Sequence, residues 1–187
     1  MSGELPPIDG AHRLIVVVGP SGAGKDSLLR GWRAARGAPA FAQRTITRAP
    51  DPTEAHEAVS AGDFAGMRSR GLLATWWQAH GLDYGVRRSQ FEPLAQGRWL
   101  VLNGSRVHLP ALRAQAPGLR VVEVSAPAHV RAQRLAERSR EDAAARDGRL
   151  AREVAMPLEA DLVLVNDGEL QRSVDALLQW WEALREL

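Results

Sequence analysis

The run Arg13-Leu14-Ile15-Val16-Val17-Val18, apolar and β-branched beyond its first residue, ends on Gly19-Pro20-Ser21-Gly22-Ala23-Gly24-Lys25-Asp26-Ser27, and a helix-compatible segment follows at once. Few folds accept that order. A wholly apolar run of this length reads as a strand buried on both faces. A G-x-x-x-x-G-K stretch between strand and helix wraps backbone N–H groups around phosphate oxygens, with the positive end of the helix behind them. Lys25 is the only lysine in the chain; the remaining 23 of the 24 basic Lys and Arg residues are arginine. A compact ammonium on a flexible stem reaches the outer phosphates of a nucleotide where a planar guanidinium does not serve. A ligand-free turn would account for the glycines but not for the solitary lysine.

The rest of the chain continues the alternation. Asp26 to Ala35 reads as a helix with Leu28, Leu29 and Trp32 on one face, ended by Gly37 and Pro39. Ala40 to Thr47 is a candidate second strand, and 48–71 is polar and weakly periodic, with a short helix expected around Asp63 to Arg70. Strands are expected at Leu72 to Gln78, Trp99 to Leu102, Leu119 to Val124 and Asp161 to Val165. Pro127 to Arg138 reads as helical, 139–148 is charged and alanine-rich, and a last helix carries Val174, Leu177, Leu178, Trp181 and Leu184 on one stripe. Buried strands alternating with helices predict a doubly wound α/β fold around a mostly parallel sheet. Ligands in such sheets bind at the carboxyl ends of the strands. The first loop and the ends of the Trp99 and Leu119 strands are therefore expected to share one rim.

Composition narrows the function classes. A chain of 187 residues, 45% hydrophobic and 25% charged, suits one soluble domain with a sizeable core. The isoelectric point of about 9.9 overstates how basic it is. Net charge is only +2, and with no cysteine, one lysine and one tyrosine little can titrate between neutrality and pH 10. Scattered arginines and scarce aromatic platforms argue against nucleic-acid binding. Without cysteine, neither disulfides nor thiolate chemistry is available. No apolar stretch approaches the ~20 residues of a membrane span, and the first 13 residues lack the apolar core of a signal peptide. A cytoplasmic enzyme acting on a small molecule is the expectation.

Further pieces follow in order: Arg-Thr-Ile-Thr-Arg at 44–48, Glu54 with His56, Trp-Gln-Ala-His-Gly-Leu at 77–82, Tyr84-Gly85, Asn-Gly-Ser-Arg at 103–106, Arg134-Leu135, Arg138, Arg140-Glu141 and Arg149-Leu150. With the glycine loop, this ordered set resembles the guanylate-kinase-like family over nearly the whole chain. The Lys25-Asp26-Ser27 and Asn103-to-Arg106 pieces resemble most closely its ribose 1,5-bisphosphate phosphokinase branch. The resemblance implies the three-layer fold of phosphate-loop kinases in a single domain. Its core would comprise 13–43, 91–138 and 150–187, with an acceptor-binding insertion over 44–90 and a lid over 139–149. It implies ATP and Mg²⁺, a sugar-phosphate acceptor, and phosphorylation of ribose 1,5-bisphosphate to 5-phosphoribosyl 1-diphosphate in phosphonate breakdown.

Site residues follow from the same match. Gly19, Pro20, Ser21, Gly22, Ala23, Gly24, Lys25, Asp26, Ser27 and Arg134 would hold ATP. Lys25, Arg138 and Arg149 would stabilise the transferring phosphoryl. Arg48 matches the arginine that grips the acceptor phosphate, and in a strand Arg44 would share its face. His80, Tyr84, Ser105 and Arg106 complete the expected acceptor pocket. Two positions depart from guanylate kinases: Asp51 stands where a second phosphate arginine is usual, and Thr75 where a glutamate reads guanine. A site without that carboxylate loses its means of selecting guanine. Asp26 replaces the usual Ser or Thr after the lysine. It is either a hard-oxygen donor toward Mg²⁺ or simply an acid favourably placed at a helix N-terminus. Two other functions stay open: a nucleoside-monophosphate kinase, and a non-catalytic binding module of the same fold.

Overall fold

The computed structural model describes residues 5–50, 55–138 and 158–186. Strand β1 (Leu14–Val18) is buried at every position. It feeds the glycine loop and helix α1 (Lys25–Ala34), which buries Leu28, Leu29 and Trp32. The expected strand over 40–47 is in fact two strands, β2 (Ala40–Phe41) and β3 (Arg44–Ile46). Ala42 still donates to Val101, but the Gln43 N–H turns to the Gln90 side chain, and the chain leaves one sheet for another. Strand β4 (His56–Ala58), helix α2 (Ala61–Ser69), and strands β5 (Leu73–Ala79) and β6 (Leu82–Arg87) follow. After helix α3 (Glu92–Ala95) come β7 (Leu100–Asn103), α4 (Leu109–Gln115), β8 (Arg120–Ser125) and α5 (Ala128–Arg138). Strand β9 (Leu162–Val165) and helix α6 (Leu170–Arg185) complete the described chain.

A five-stranded sheet takes the order β2-β7-β1-β8-β9. Its β2–β7 and β8–β9 ladders are parallel, as the alternating pattern predicts. A four-stranded sheet takes the order β4-β3-β6-β5, with β3–β4 parallel and β3–β6 and β5–β6 antiparallel. The last pair is a hairpin whose two-residue turn, His80-Gly81, has positive φ at both positions (54° and 73°). That is the backbone a tight hairpin requires.

The chain packs into two compact units, residues 1–16 with 39–120, and 17–38 with 121–187. In the first, the four-stranded sheet packs Leu73 against Phe64 and Met67 of α2. Ser60 caps that helix by accepting from the Asp63 N–H at 3.1 Å. In the second, α1 lies close along α6. A Cβ on Gly31 would come within 2.8 Å of Val174, and Trp32 meets Trp181 edge-on at 5.8 Å. Val174, Leu177, Trp181 and Leu184 of the predicted stripe are buried. The expected lid, 139–149, lies outside the described residues.

Candidate functional site

The phosphate loop belongs to the second unit. Gly19 leaves β1 at φ 151°, where a Cβ would run into the Val124 carbonyl oxygen, so no larger residue fits between the loop and β8. Gly24 caps α1 at φ 90° and presses against the Asn166 side chain. Lys25 curls back across the loop. Its ammonium donates to the carbonyls of Gly19 at 2.6 Å and Pro20 at 3.0 Å. The cation is thereby held over the glycine stretch, at the N-terminus of a ten-residue helix. Asp26 lies in the first turn of that helix. Desolvation lowers the pKa of Arg33, and the charge of Asp26 opposes that shift.

Arg134 of α5 reaches this loop. Its Nη1 donates to the Asn166 carbonyl at 3.1 Å and sits 3.5 Å from the Gly22 carbonyl. Asn166 itself was not singled out by sequence. It is 2% exposed, follows β9, and donates from Nδ2 to the Ala23 carbonyl at 2.8 Å. The sequence offers for it only an Asn166-Asp167-Gly168 stretch after the strand expected at Asp161 to Val165. Arg138 ends α5, and Arg149 lies outside the described residues.

The acceptor-side residues belong to the first unit. Arg44 opens β3, its guanidinium carbon 5.7 Å from the centroid of the Tyr84 ring. Tyr84 lies on β6 and stacks on Trp77 of β5 at 5.4 Å, with 9° between planes. Arg48 falls in the bend beyond β3 rather than in the strand, so strand alternation does not carry it onto the face of Arg44; its carbonyl lies 3.3 Å from His56 Nε2. His80 is exposed at the hairpin turn. Ser105 and Arg106 shape the turn after β7. The Ser105 carbonyl accepts from the N–H groups of His108 and Leu109, and that of Arg106 from Leu109.

Thr75 is fully buried and hydrogen-bonded. Its hydroxyl donates to Gln115 Oε1 at 3.1 Å and lies 2.6 Å from His108 Nε2. One hydroxyl has one proton. With that proton on Gln115, the imidazole must donate, which assigns its hydrogen to Nε2. Gln115 Nε2 donates onward to the carbonyls of Ala74 at 3.1 Å and Pro6 at 3.3 Å. Burial holds the His108 pKa down to about 4, so the network is neutral near pH 7. His108 also stacks on Trp77, at 4.8 Å and 15°. Neither His108 nor Gln115 was picked from sequence, since their partners lie 33 and 40 residues away.

A second group braces the same sheet. Arg87 of β6 bonds Glu57 of β4 through two nitrogens, at 2.7 and 2.5 Å, while Thr45 of β3 donates to the same carboxylate at 2.7 Å. The Arg87 hydrogen bonds are the largest influence holding the Glu57 pKa below its usual value. Among the described residues no group of three or more His, Cys, Asp or Glu could cage a metal ion, and no helix is long and apolar enough to cross a membrane.

Similarity to known proteins supplies the context. No family model matches the chain. A ribose 1,5-bisphosphate phosphokinase from Acidiphilium cryptum is 48% identical over 158 residues, spanning 83% of this chain and 84% of that one. The chain belongs to the ribose 1,5-bisphosphate phosphokinase family. A bifunctional ribose 1,5-bisphosphokinase-thymidine phosphorylase from Azorhizobium caulinodans is 44% identical over 149 residues; the match takes in 78% of this chain but 22% of that protein. Among solved structures, guanylate kinase from Anaplasma phagocytophilum aligns over 96% of this chain and 86% of its own, with a TM-score of 0.67 and 18% identity. That likeness bears out the guanylate-kinase-like phosphate-loop fold.

Proposed function

We propose that this enzyme moves the terminal phosphoryl group of ATP onto the 1-phosphate of ribose 1,5-bisphosphate, giving 5-phosphoribosyl 1-diphosphate and ADP. Membership of the phosphokinase family supports the reaction, and through it a cytoplasmic role in phosphonate breakdown. An oxygen of the 1-phosphate forms the new P–O bond. The bond to the β,γ-bridging oxygen of ATP breaks, and ADP leaves with the electron pair. The acceptor oxygen is already ionised, so no strong general base is required. Catalysis then consists of positioning and charge neutralisation.

In this reading the glycine loop and Lys25 seat the donor polyphosphate. The ammonium exchanges its carbonyl partners for phosphate oxygens, which bind a cation more strongly. Arg134 steadies the loop, and Arg138 and Arg149 supply charge to the moving group. Arg44, Arg48, Tyr84, Ser105 and Arg106 hold the acceptor, whose two phosphates repel the donor unless cations intervene. His80 flanks them at the hairpin turn. Asp26 fits a Mg²⁺ ion that arrives with the nucleotide, because such an ion takes most of its oxygens from phosphate and water and needs only one or two carboxylates. Bound there, Mg²⁺ would neutralise charge on the β- and γ-phosphates.

Thr75 is the observation that carries the choice of acceptor. A fully buried threonine with both its hydrogen-bonding roles taken offers nothing to a guanine edge. The test is an acceptor panel with ATP and Mg²⁺: ribose 1,5-bisphosphate, GMP, AMP and ribose 5-phosphate. Turnover of ribose 1,5-bisphosphate with kcat/KM far above the others is expected. Preference for GMP would make the enzyme a nucleoside-monophosphate kinase, and no turnover at all would leave only a binding module.

A further inference from the structure

Four side chains of the first unit form one stack. The Arg44 guanidinium lies at Tyr84, Tyr84 on Trp77, and Trp77 on His108, with separations of 5.7, 5.4 and 4.8 Å. A cation at the face of a phenol ring gains from the ring quadrupole, and the near-parallel planes of the next three rings add aromatic contact. Only the Arg44 and Tyr84 end carries residues expected to meet substrate. Tyr84 is about as buried as His108, and the His108 end is fixed by hydrogen bonds.

His108 is the anchor of that end. The imidazole cannot turn about its ring axis without losing Thr75, and Thr75 cannot rotate its hydroxyl without losing Gln115. Gln115 spends both amide hydrogens on carbonyls, one of them the Ala74 carbonyl beside Thr75 itself. The Thr75 hydroxyl, His108 Nε2 and the Gln115 amide all have partners on this path, and satisfied groups are what make a buried polar network rigid rather than costly. His108 also closes the turn that starts at Ser105, since its N–H donates to the Ser105 carbonyl at 3.2 Å. One residue thus links the Ser105-Arg106 turn to β5, which pairs with the strand that carries Tyr84.

We propose that His108 is a positioning residue of the acceptor site: held by Thr75 and Gln115, it sets Trp77, and through Trp77 the place of Tyr84 and Arg44 relative to the Ser105-Arg106 turn. This rests on the reading of Tyr84 and Arg44 as acceptor residues. The network belongs to the first unit and the phosphate loop with its lysine to the second, so disturbing the network weakens acceptor use and spares ATP use.

Three variants separate the stack from its hydrogen bond. His108→Ala removes both, His108→Phe keeps a ring against Trp77, and Thr75→Val keeps volume but drops the hydroxyl. Steady-state KM values for ribose 1,5-bisphosphate and for ATP are measured on each full-length enzyme, with near-ultraviolet circular dichroism reporting the stacked rings. For His108→Ala the acceptor KM rises on the order of tenfold, the scale of one aromatic contact and one hydrogen bond. The ATP KM stays within about twofold, the aromatic dichroism falls, and His108→Phe recovers part of both. Should His108→Ala not fold, the Phe and Val variants decide, each with a smaller rise confined to the acceptor. An unchanged acceptor KM in variants that have lost the dichroic signal would overturn the proposal, as would equal rises for both substrates. If the wild-type enzyme turns over a different phosphate acceptor, the substrate assignment fails by itself, and the same split read with that acceptor still decides the role of His108.

Discussion

Asn166 Nδ2 donates to the Ala23 carbonyl at 2.8 Å, so the residue just after β9 holds the floor of the phosphate loop. Its own carbonyl receives Arg134, and its side chain fills the space that a Cβ on Gly24 would enter. The curvature of the loop therefore depends on a residue over 140 positions away. Asn166→Ala removes the bond and leaves a buried carbonyl without that donor, at a cost of about 1–3 kcal/mol. Expected results are a lower Cm in urea and a several-fold higher KM for ATP, with the acceptor KM unchanged. Gly24→Ala is more severe, since it combines φ 90° with a clash; ATP should no longer raise its melting temperature.

Lys25 tests the loop from the ligand side. Lys25→Ala should lose ATP-dependent thermal stabilisation and on the order of a hundredfold or more in kcat, as when one preorganised charge donor is removed. Lys25→Arg should rescue little, because the planar fork cannot fold back over the Gly19 and Pro20 carbonyls as the ammonium does. Full activity in the arginine variant would contradict the reason given for the single lysine.

Titration of His108 gives the fold a pH signature. Its folded pKa, about 4, is depressed below the ordinary 6.5, so the unfolded chain binds the proton more readily. Above pH 6.5 the residue is neutral in both states and contributes nothing. As pH falls from 6.5 toward 4, stability drops by up to ~1.4 kcal/mol per unit, because only the unfolded state gains the proton. Glu57 adds the opposite kind of group, with a folded pKa held down chiefly by Arg87. Its stabilisation is present above about 4.5 and lost as pH falls through the lower folded value, so it does not confuse the upper window. Urea melts between pH 7 and 5 should show the slope in wild type and a smaller one in His108→Phe.

Some of this architecture could be read directly from the chain. The strand, loop and first helix are encoded locally: β-branched residues, then glycines that backbone crowding demands, then apolar spacing at helical period. The stripe on α6 is legible for the same reason. Strand β4 is His56-Glu57-Ala58, with no β-branched residue, and β6 is interrupted by Asp83 and Gly85. Their pairing depends on the His80-Gly81 turn and the Glu57–Arg87 clamp, and in the turn a histidine takes a backbone conformation more usual for glycine or asparagine. The Thr75–His108–Gln115 network had no local pattern at all. Its members meet only because β5 and α4 pack together, so the sequence showed a missing glutamate at Thr75 but not what replaces its chemistry.

Asp26 separates two roles that its position alone leaves equal. It sits one residue after Lys25 in the first turn of α1, where any acid gains about 0.3–1 kcal/mol from the helix dipole. A role toward Mg²⁺ asks more, namely that the carboxylate be needed at the nucleotide-bound ion. Asp26→Asn keeps the shape and removes the charge. Titrating Mg²⁺ at fixed ATP should then require a several-fold higher concentration for half-maximal rate, while ATP binding measured in EDTA stays near wild type. An unchanged Mg²⁺ midpoint, with only a small fall in melting temperature, would reduce Asp26 to a helix-stabilising acid and shift the metal to oxygens of ATP, acceptor and water.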